Sequence, residues 1–308
     1  STFHSACVRI LRRDAEQLGY PSRFSIYDQG DAVRLTSHVV RDLNLDAKRF
    51  PSRAIHAAIS TAKNEGRSAA TYAEQAVGPY ERHLGEVFAE YQTRLRKAGA
   101  MDFDDLLDNA VRLLREHPDV LEHYRQRFEH VLVDEYQDTN RVQNDLVMLL
   151  GAGHRNVCAV GDSDQSIYRF RGADIRNILE FERTFPDATV VVLDQNYRSS
   201  QTILDAANAV ITKNPGRKPK ELWTAAGPGD HIVRFRADDE VDEAAWVAGR
   251  LRALRAEGRP WSDLAIFYRT NAQSRAVEEQ LVRLGVPYRV VGGTRFYDRQ
   301  EVRDAMAY

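Results

Sequence analysis

Val131-Leu132-Val133-Asp134-Glu135-Tyr136-Gln137-Asp138-Thr139-Asn140 is the stretch on which the fold turns. Three apolar residues run directly into two adjacent carboxylates, the pattern of a short buried strand that ends in charge. In open α/β sheets the carboxyl end of a strand is where ligands bind. The competing interpretation is local: Asp134 or Asp138 could cap the helix that follows.

The flanking sequence decides between them. A helical pattern follows over Val142 to Leu150. A second apolar run, Asn156 to Val160, ends at Gly161-Asp162. A third, Thr189 to Leu193, ends at Asp194-Gln195-Asn196. Strands alternating with helices predict an α/β fold with a parallel sheet. Polar residues follow each predicted strand end, which favours a ligand role for Asp134 and Glu135 over a cap.

Upstream the texture is helical. Residues 5–18 carry Ala6, Ile10, Leu11 and Leu18 near helical spacing. Within 24–100 only Phe24-Ser25-Ile26 suggests a strand. Tyr80, Leu84, Val87, Phe88, Tyr91 and Leu95 form one apolar stripe. Phe103, Leu106, Leu107, Ala110, Val111 and Leu114 form another, stopped by Pro118. Downstream, Pro215, Gly216, Pro219, Gly227, Pro228 and Gly229 predict a loop. A second α/β set follows, with strands at 232–235, 264–268 and 288–291 and helices at 242–256 and 274–284.

The 308 residues are 43% hydrophobic and 29% charged, with a net charge of −2. That length suggests at least two domains. Any nucleic-acid contact must come from local basic groups, because the whole chain has no basic excess. Arg-rich segments such as Arg9 to Arg13 and Arg250 to Arg259 read as solvated helix faces. The two cysteines, Cys7 and Cys158, exclude a disulfide framework or a Cys-rich zinc pattern, and Cys158 is expected in the core. A reducing, cytoplasmic setting fits. No run of about 18 apolar residues suggests a membrane span.

Taken together, the strand ends offer Asp134-Glu135, then Gly161 to Tyr168, then Asn196 to Ser200. An acidic pair, Gln165 and Arg198 converging on one crevice would suit phosphoryl transfer. One carboxylate holds Mg²⁺ and the other deprotonates water. A glutamine senses the terminal phosphate, and an arginine neutralises developing charge.

DEYQDTN, GDSDQSIYRFRGAD, QNYRSSQ and FYRTNAQSR, in this order, resemble the motifs of the UvrD/Rep/PcrA family of superfamily-one 3′-to-5′ DNA helicases, and within it the PcrA-type branch. Thr2-Phe3-His4-Ser5 is similar to another family motif. Val286 to Gly293 and Phe296 to Val302 are similar to the segment before the large insert of the second motor domain. The resemblance implies RecA-like P-loop motor domains, parallel sheets flanked by helices, with an all-helical insert. Residues 1–23 and 104–196 would belong to the first motor domain (1A), 24–103 to the insert (1B), and 197–308 to the second motor domain (2A).

Residue by residue, the resemblance implies that Asp134 serves Mg²⁺ and Glu135 is the general base in ATP hydrolysis. Gln165 would contact the γ-phosphate. Arg198 would be the arginine finger, and Tyr197 would stack near the adenine. Thr2 and His4 would touch single-stranded DNA. Tyr168, Phe170 and Arg171 would form its stacking track, joined by Arg269 and Asn271. Aromatic faces accept any base, so this track would be sequence-tolerant. The family often has Trp where Phe170 stands. Local alternatives are a core aromatic at Phe170, a packing tyrosine at Tyr197, an N-cap at Thr2 or His4, and an Asn cap at Asn271.

The pattern Gly-x-x-x-x-Gly-Lys-Ser/Thr does not occur in these 308 residues. The expectation is therefore a central helicase fragment, incomplete at both ends and inactive alone. Its partners would be single-stranded DNA, duplex junctions, and DNA-repair or replication proteins. Two other functions remain open: a non-hydrolysing single-strand-binding module, and a metal nuclease built on Asp134, Glu135, Asp162 and Asp164.

Overall fold

A computed structural model describes residues 1–214, 217 and 219–291, with Arg171 described by its backbone alone. The predicted features at Pro215, Gly216, Gly292-Gly293 and Phe296 to Val302 lie outside the described residues. The chain divides into two compact units. One comprises Ser1–Gln195 with Ala207–Trp223. The other comprises Asn196–Ala206 with the chain from Thr224 onward.

The first unit opens with α1 (Phe3–Asp14), which passes into a 3₁₀ turn over Ala15–Leu18. β1 (Ser25–Tyr27) leads into α2 (Gln29–Asp42), α3 (Ser52–Asn64), α4 (Ala69–Gln75) and α5 (Pro79–Lys97). β2 (Ala100–Asp102) returns beside β1 as a parallel pair, Ser25 opposite Ala100. The segment between these strands has its own core, built from Val39, Ile55, Ile59, Leu84, Val87, Phe88, Tyr91 and Leu95. α5 starts where Pro79 pre-sets the first turn and the Glu81 carboxylate accepts from the N–H groups of Val77 and Gly78.

α6 (Phe103–Glu116) and α7 (Pro118–Arg127) follow, then β3 (Val131–Val133), α8 (Arg141–Gly151) and β4 (Val157–Ala159). α6 is held at its start by a reciprocal cap between Asp102 and Asp105. Its apolar residues pack with Cys7, Ile10 and Leu11 of α1 and Val142, Leu146 and Leu150 of α8 in the largest core. β3 and β4 pair in parallel, Val131 opposite Val157. Short helices α9 (Arg176–Leu179) and α10 (Phe181–Thr184) come next, and α11 (Gln201–Ile211) follows. The second unit contains α12 (Glu240–Ala256) and α13 (Ser274–Arg283), with a core of Ala248, Leu281 and Val286 backed by Trp261 and Ile266.

The result is a mixed helix and sheet protein with two small parallel ladders among the described residues. Several expectations need correction. Residues 189–193, 232–235, 264–268 and 288–291 form no ladder. A strand exists through its neighbour's hydrogen bonds, and apolar alternation does not supply that neighbour. Val190 to Leu193 are correspondingly exposed.

The β3 strand is buried at Val133 alone of its three residues, and Leu132 stays 75% exposed. Cys158, expected in the core, is exposed on the same face, because side chains alternate along the ladder and the covering cluster takes Val131, Val133, Val157 and Ala159. Phe103, placed in the α6 core stripe by spacing, sits at the first helical position and is exposed, edge-on to His4 with ring centroids 5.9 Å apart. Tyr80 is likewise exposed and stacks on Phe50.

Candidate functional site

β3 ends at Asp134, and the chain turns at once. Glu135 adopts φ 51° and ψ 44°, a left-handed conformation unfavourable for a residue with a Cβ. Asp134 Oδ1 accepts the Glu135 N–H at 2.9 Å. Neither acid caps the next helix. Asn140 does that, in a reciprocal cap with Gln143, so the cap explanation for Asp134 and Asp138 fails. Both Asp134 and Glu135 remain exposed.

The turn is fixed from several sides. The Tyr136 N–H donates to the Val160 carbonyl, and the Val160 N–H donates to the Val133 carbonyl, so the two strand ends are laced together beyond the ladder. Asn177 donates its side-chain amide to Thr139 and Asn140, and the Asp174 N–H donates to the Thr139 carbonyl. The end of GDSDQSIYRFRGAD thus braces the end of DEYQDTN.

Gln137, which motif-by-motif reading passed over, joins the two strand ends. It is 1% exposed. Its Nε2 donates to Glu135 Oε2 at 2.7 Å, and its Oε1 accepts the Asp162 N–H at 2.9 Å. Asp162 in turn accepts from the Gln165 side-chain amide at 2.9 Å and from the Asp164 N–H. A continuous hydrogen-bonded path therefore links Glu135 to Gln165. Gly161 makes room for it: a Cβ there would lie 2.5 Å from Gln137 Oε1 and 2.8 Å from Ile178 Cδ1.

Two further residues escaped sequence reasoning, since they lie 53 and 58 positions from their partners. Arg217 grips Asp164 in a two-pronged contact, at 3.1 and 2.8 Å. Lys220 pairs with Asp162. Burial pushes the Asp162 carboxyl up, but the bonds from Lys220, Gln165 and the Asp164 N–H outweigh it and hold it below its ordinary value. A nuclease cluster is not built here. Asp162 and Asp164 are neutralised by these cations, and no group of three acids, histidines or cysteines is arranged to hold a metal among the described residues.

The remaining predicted residues fall as follows. Tyr168 and Phe170 stand with ring centroids 6.0 Å apart and planes tilted by 43°, and Phe170 is 73% exposed, so it is no core aromatic. Tyr168 precedes the 3₁₀ turn Arg169–Arg171 and Phe170 lies within it; the Arg171 side chain lies outside the described residues. Thr2 caps α1, its hydroxyl accepting the Ser5 N–H. His4 is half-buried, and burial lowers its pKa against the pull of Asp104.

In the second unit, Tyr197 is 84% exposed and Arg198 is exposed, in a turn where Asn196 Oδ1 accepts the N–H groups of Arg198 and Ser199. Arg269 and Asn271 are exposed beside a turn capped by Thr270 and Gln273. Gln273 Oε1 accepts from the N–H groups of Arg269 and Thr270, so Asn271 is not the cap.

Residues 1–186 match the UvrD/REP helicase N-terminal domain, and residues 191–308 match the UvrD-like helicase C-terminal domain. The chain belongs to the UvrD/REP helicase family. Along its whole length it is 50% identical to the ATP-dependent DNA helicase PcrA of Bacillus subtilis. It is 52% identical to the ATP-dependent DNA helicase UvrD1 of Mycobacterium bovis and 46% identical to PcrA of Staphylococcus aureus. It spans 42% of the length of each of these relatives.

In this UvrD-like chain the donor set at β3 suits Mg²⁺. That ion prefers oxygen ligands and keeps waters and phosphates alongside one or two carboxylates. Asp134 is such a carboxylate, exposed where β3 ends. No described helix is long and apolar enough to cross a membrane.

Proposed function

We propose that this chain is the central part of an ATP-dependent, 3′-to-5′ DNA helicase and single-stranded DNA translocase. In that protein 1–23 and 104–196 contribute to one motor domain, 24–103 is the helical insert, and 197–308 begins the second. The observation that carries this is the exposed Asp134-Glu135 pair, tied through Gln137 to the strand end that bears Gln165. A hydrolytic site needs water activation and phosphate sensing to respond to one another, and this is the linkage that couples them.

Glu135 takes a proton from the water that attacks the γ-phosphorus, and ADP leaves with the electron pair of the broken P–O bond. Asp134 would hold Mg²⁺, which when bound would offset charge on the transferred phosphoryl group. Gln165 contacts the γ-phosphate, Arg198 supplies positive charge to the transition state, and Tyr197 stacks on the adenine. Thr2, His4, Tyr168, Phe170, Arg171, Arg269 and Asn271 contact the single strand. The protein works in the cytoplasm, on single strands and duplex junctions, with DNA-repair or replication proteins as partners.

Glu135→Gln in the full-length protein tests this directly. It should abolish phosphate release while a fluorescent ATP analogue still binds with unchanged affinity. Turnover within a few-fold of the parent would sink the assignment of the base.

A further inference from the structure

The proposed roles leave Gln137 without one, and its environment is not that of a filler. A buried amide satisfies both its ends wherever partners exist. Gln137 directs its donor to the carboxylate of an exposed residue, Glu135, whose side chain would otherwise sample several rotamers in water. Glu135 is also held in a left-handed backbone conformation, strain of the kind found where a side chain must point in one direction. The other end of the Gln137 amide takes the N–H of Asp162, the residue whose carboxylate holds the Gln165 amide. Gly161 is the independent sign that space at this point is reserved, because any side chain there would press on Gln137 Oε1.

We infer that Gln137 is a positioning residue: it fixes the Glu135 carboxylate for water activation and ties its orientation to the loop that carries Gln165. This rests on Glu135 being the general base. A shift of Gln165 on meeting the γ-phosphate pulls on Asp162, and through the Asp162 N–H on Gln137. The Gln137 amide transmits that shift to Glu135. Asp162 can serve as the middle of the relay because Lys220 keeps it an acceptor.

The experiment is steady-state ATP hydrolysis by the full-length protein with saturating single-stranded DNA. It compares Gln137→Met, Gln137→Glu and Glu135→Gln with the parent. Methionine keeps the length and burial but removes donor and acceptor. Glutamate keeps the shape but cannot donate to Glu135. Misplacement of a catalytic group by about an ångström costs up to about a hundredfold, and loss of a supporting hydrogen bond about ten- to a hundredfold. Measured well below each variant's own melting temperature, both Gln137 variants should therefore lose kcat by about ten- to a hundredfold, with KM for ATP and DNA affinity unchanged and with a loss larger than any fall in melting temperature accounts for.

A kcat within twofold of the parent in both variants, with Glu135→Gln inactive, overturns the positioning role and leaves the base assignment standing. A loss that follows melting temperature in both variants also overturns it, because the role is then only structural. An active Glu135→Gln variant overturns the base assignment, and the role of Gln137 with it.

Discussion

Phe170 shows what a single residue can be expected to do. Its ring is exposed beside Tyr168, and neither ring carries charge, so any contribution to strand binding comes through stacking. Stacking on an aromatic is worth about 1–3 kcal/mol per base. Phe170→Ala should weaken binding of a short oligothymidylate by that amount in a polarisation titration. The slope of affinity against salt should not change, because that slope counts phosphate contacts. Phe170→Trp should bind at least as tightly as the parent; unchanged affinity in the alanine variant removes Phe170 from the track. At this scale the sequence was informative where chemistry is concentrated in adjacent letters. Asp134 and Glu135 follow β3 directly, and Gln165 lies in the turn that follows β4. Gln137 lay in plain view inside DEYQDTN, yet its role depends on which way an amide points, and that is set by the backbone of Asp162. Arg217 and Lys220 could not be found from spacing at all.

At the scale of elements, the junction of α3, α5 and α6 is the most charged part of the interior. Lys63 is fully buried and donates to Asp102 at 2.6 Å and Asp105 at 2.8 Å, while the Tyr91 hydroxyl donates to Asp102 at 2.8 Å. Asp108, one turn along α6, pays for this neighbourhood. Burial pushes its carboxyl up to about 8; Lys63 opposes that, and the charges of Asp105, Asp104 and Asp102 reinforce it. The folded state thus keeps a proton that the unfolded chain releases near pH 4. Stability is lost as pH rises, until the folded carboxyl has itself ionised above about 8. Asp108→Asn should therefore raise the melting temperature, by little at pH 5 and by most at pH 8.5. A gain independent of pH would show that burial of this carboxyl is not the cause. The helices here were legible because apolar residues recur at three and four and because Pro118 stops α6, while the Asp102 cap at its start emerged only from the structure. The strands were legible only where a partner exists. Val131–Val133 has Val157–Ala159 beside it, whereas the equally apolar Val190–Leu193 has no ladder among the described residues. Hydrophobic runs report a tendency to pair, and pairing itself is a property of two segments.

For the whole molecule, the family is certain while the activity depends on what a hydrolytic site requires. Asp134, Glu135 and Gln165, the residues proposed to bind the metal, activate water and sense the phosphate, are all exposed. The 308 residues contain no Gly-x-x-x-x-Gly-Lys-Ser/Thr loop, and a triphosphate is held mainly by such a cradle of backbone N–H groups and a lysine. A general base without a bound substrate contributes nothing, since its effect depends on holding water and phosphorus within reach. This chain alone should therefore release no phosphate from ATP above background, with or without single-stranded DNA. It should still bind the single strand through its exposed aromatics, with a salt dependence set by local arginines, because the net charge of −2 offers no general attraction. The full-length protein should hydrolyse ATP, and faster with single-stranded DNA. DNA-stimulated phosphate release from the 308 residues would mean that another loop within them holds the phosphates. Strand binding without hydrolysis by the full-length protein would instead identify a single-strand-binding module on a helicase scaffold.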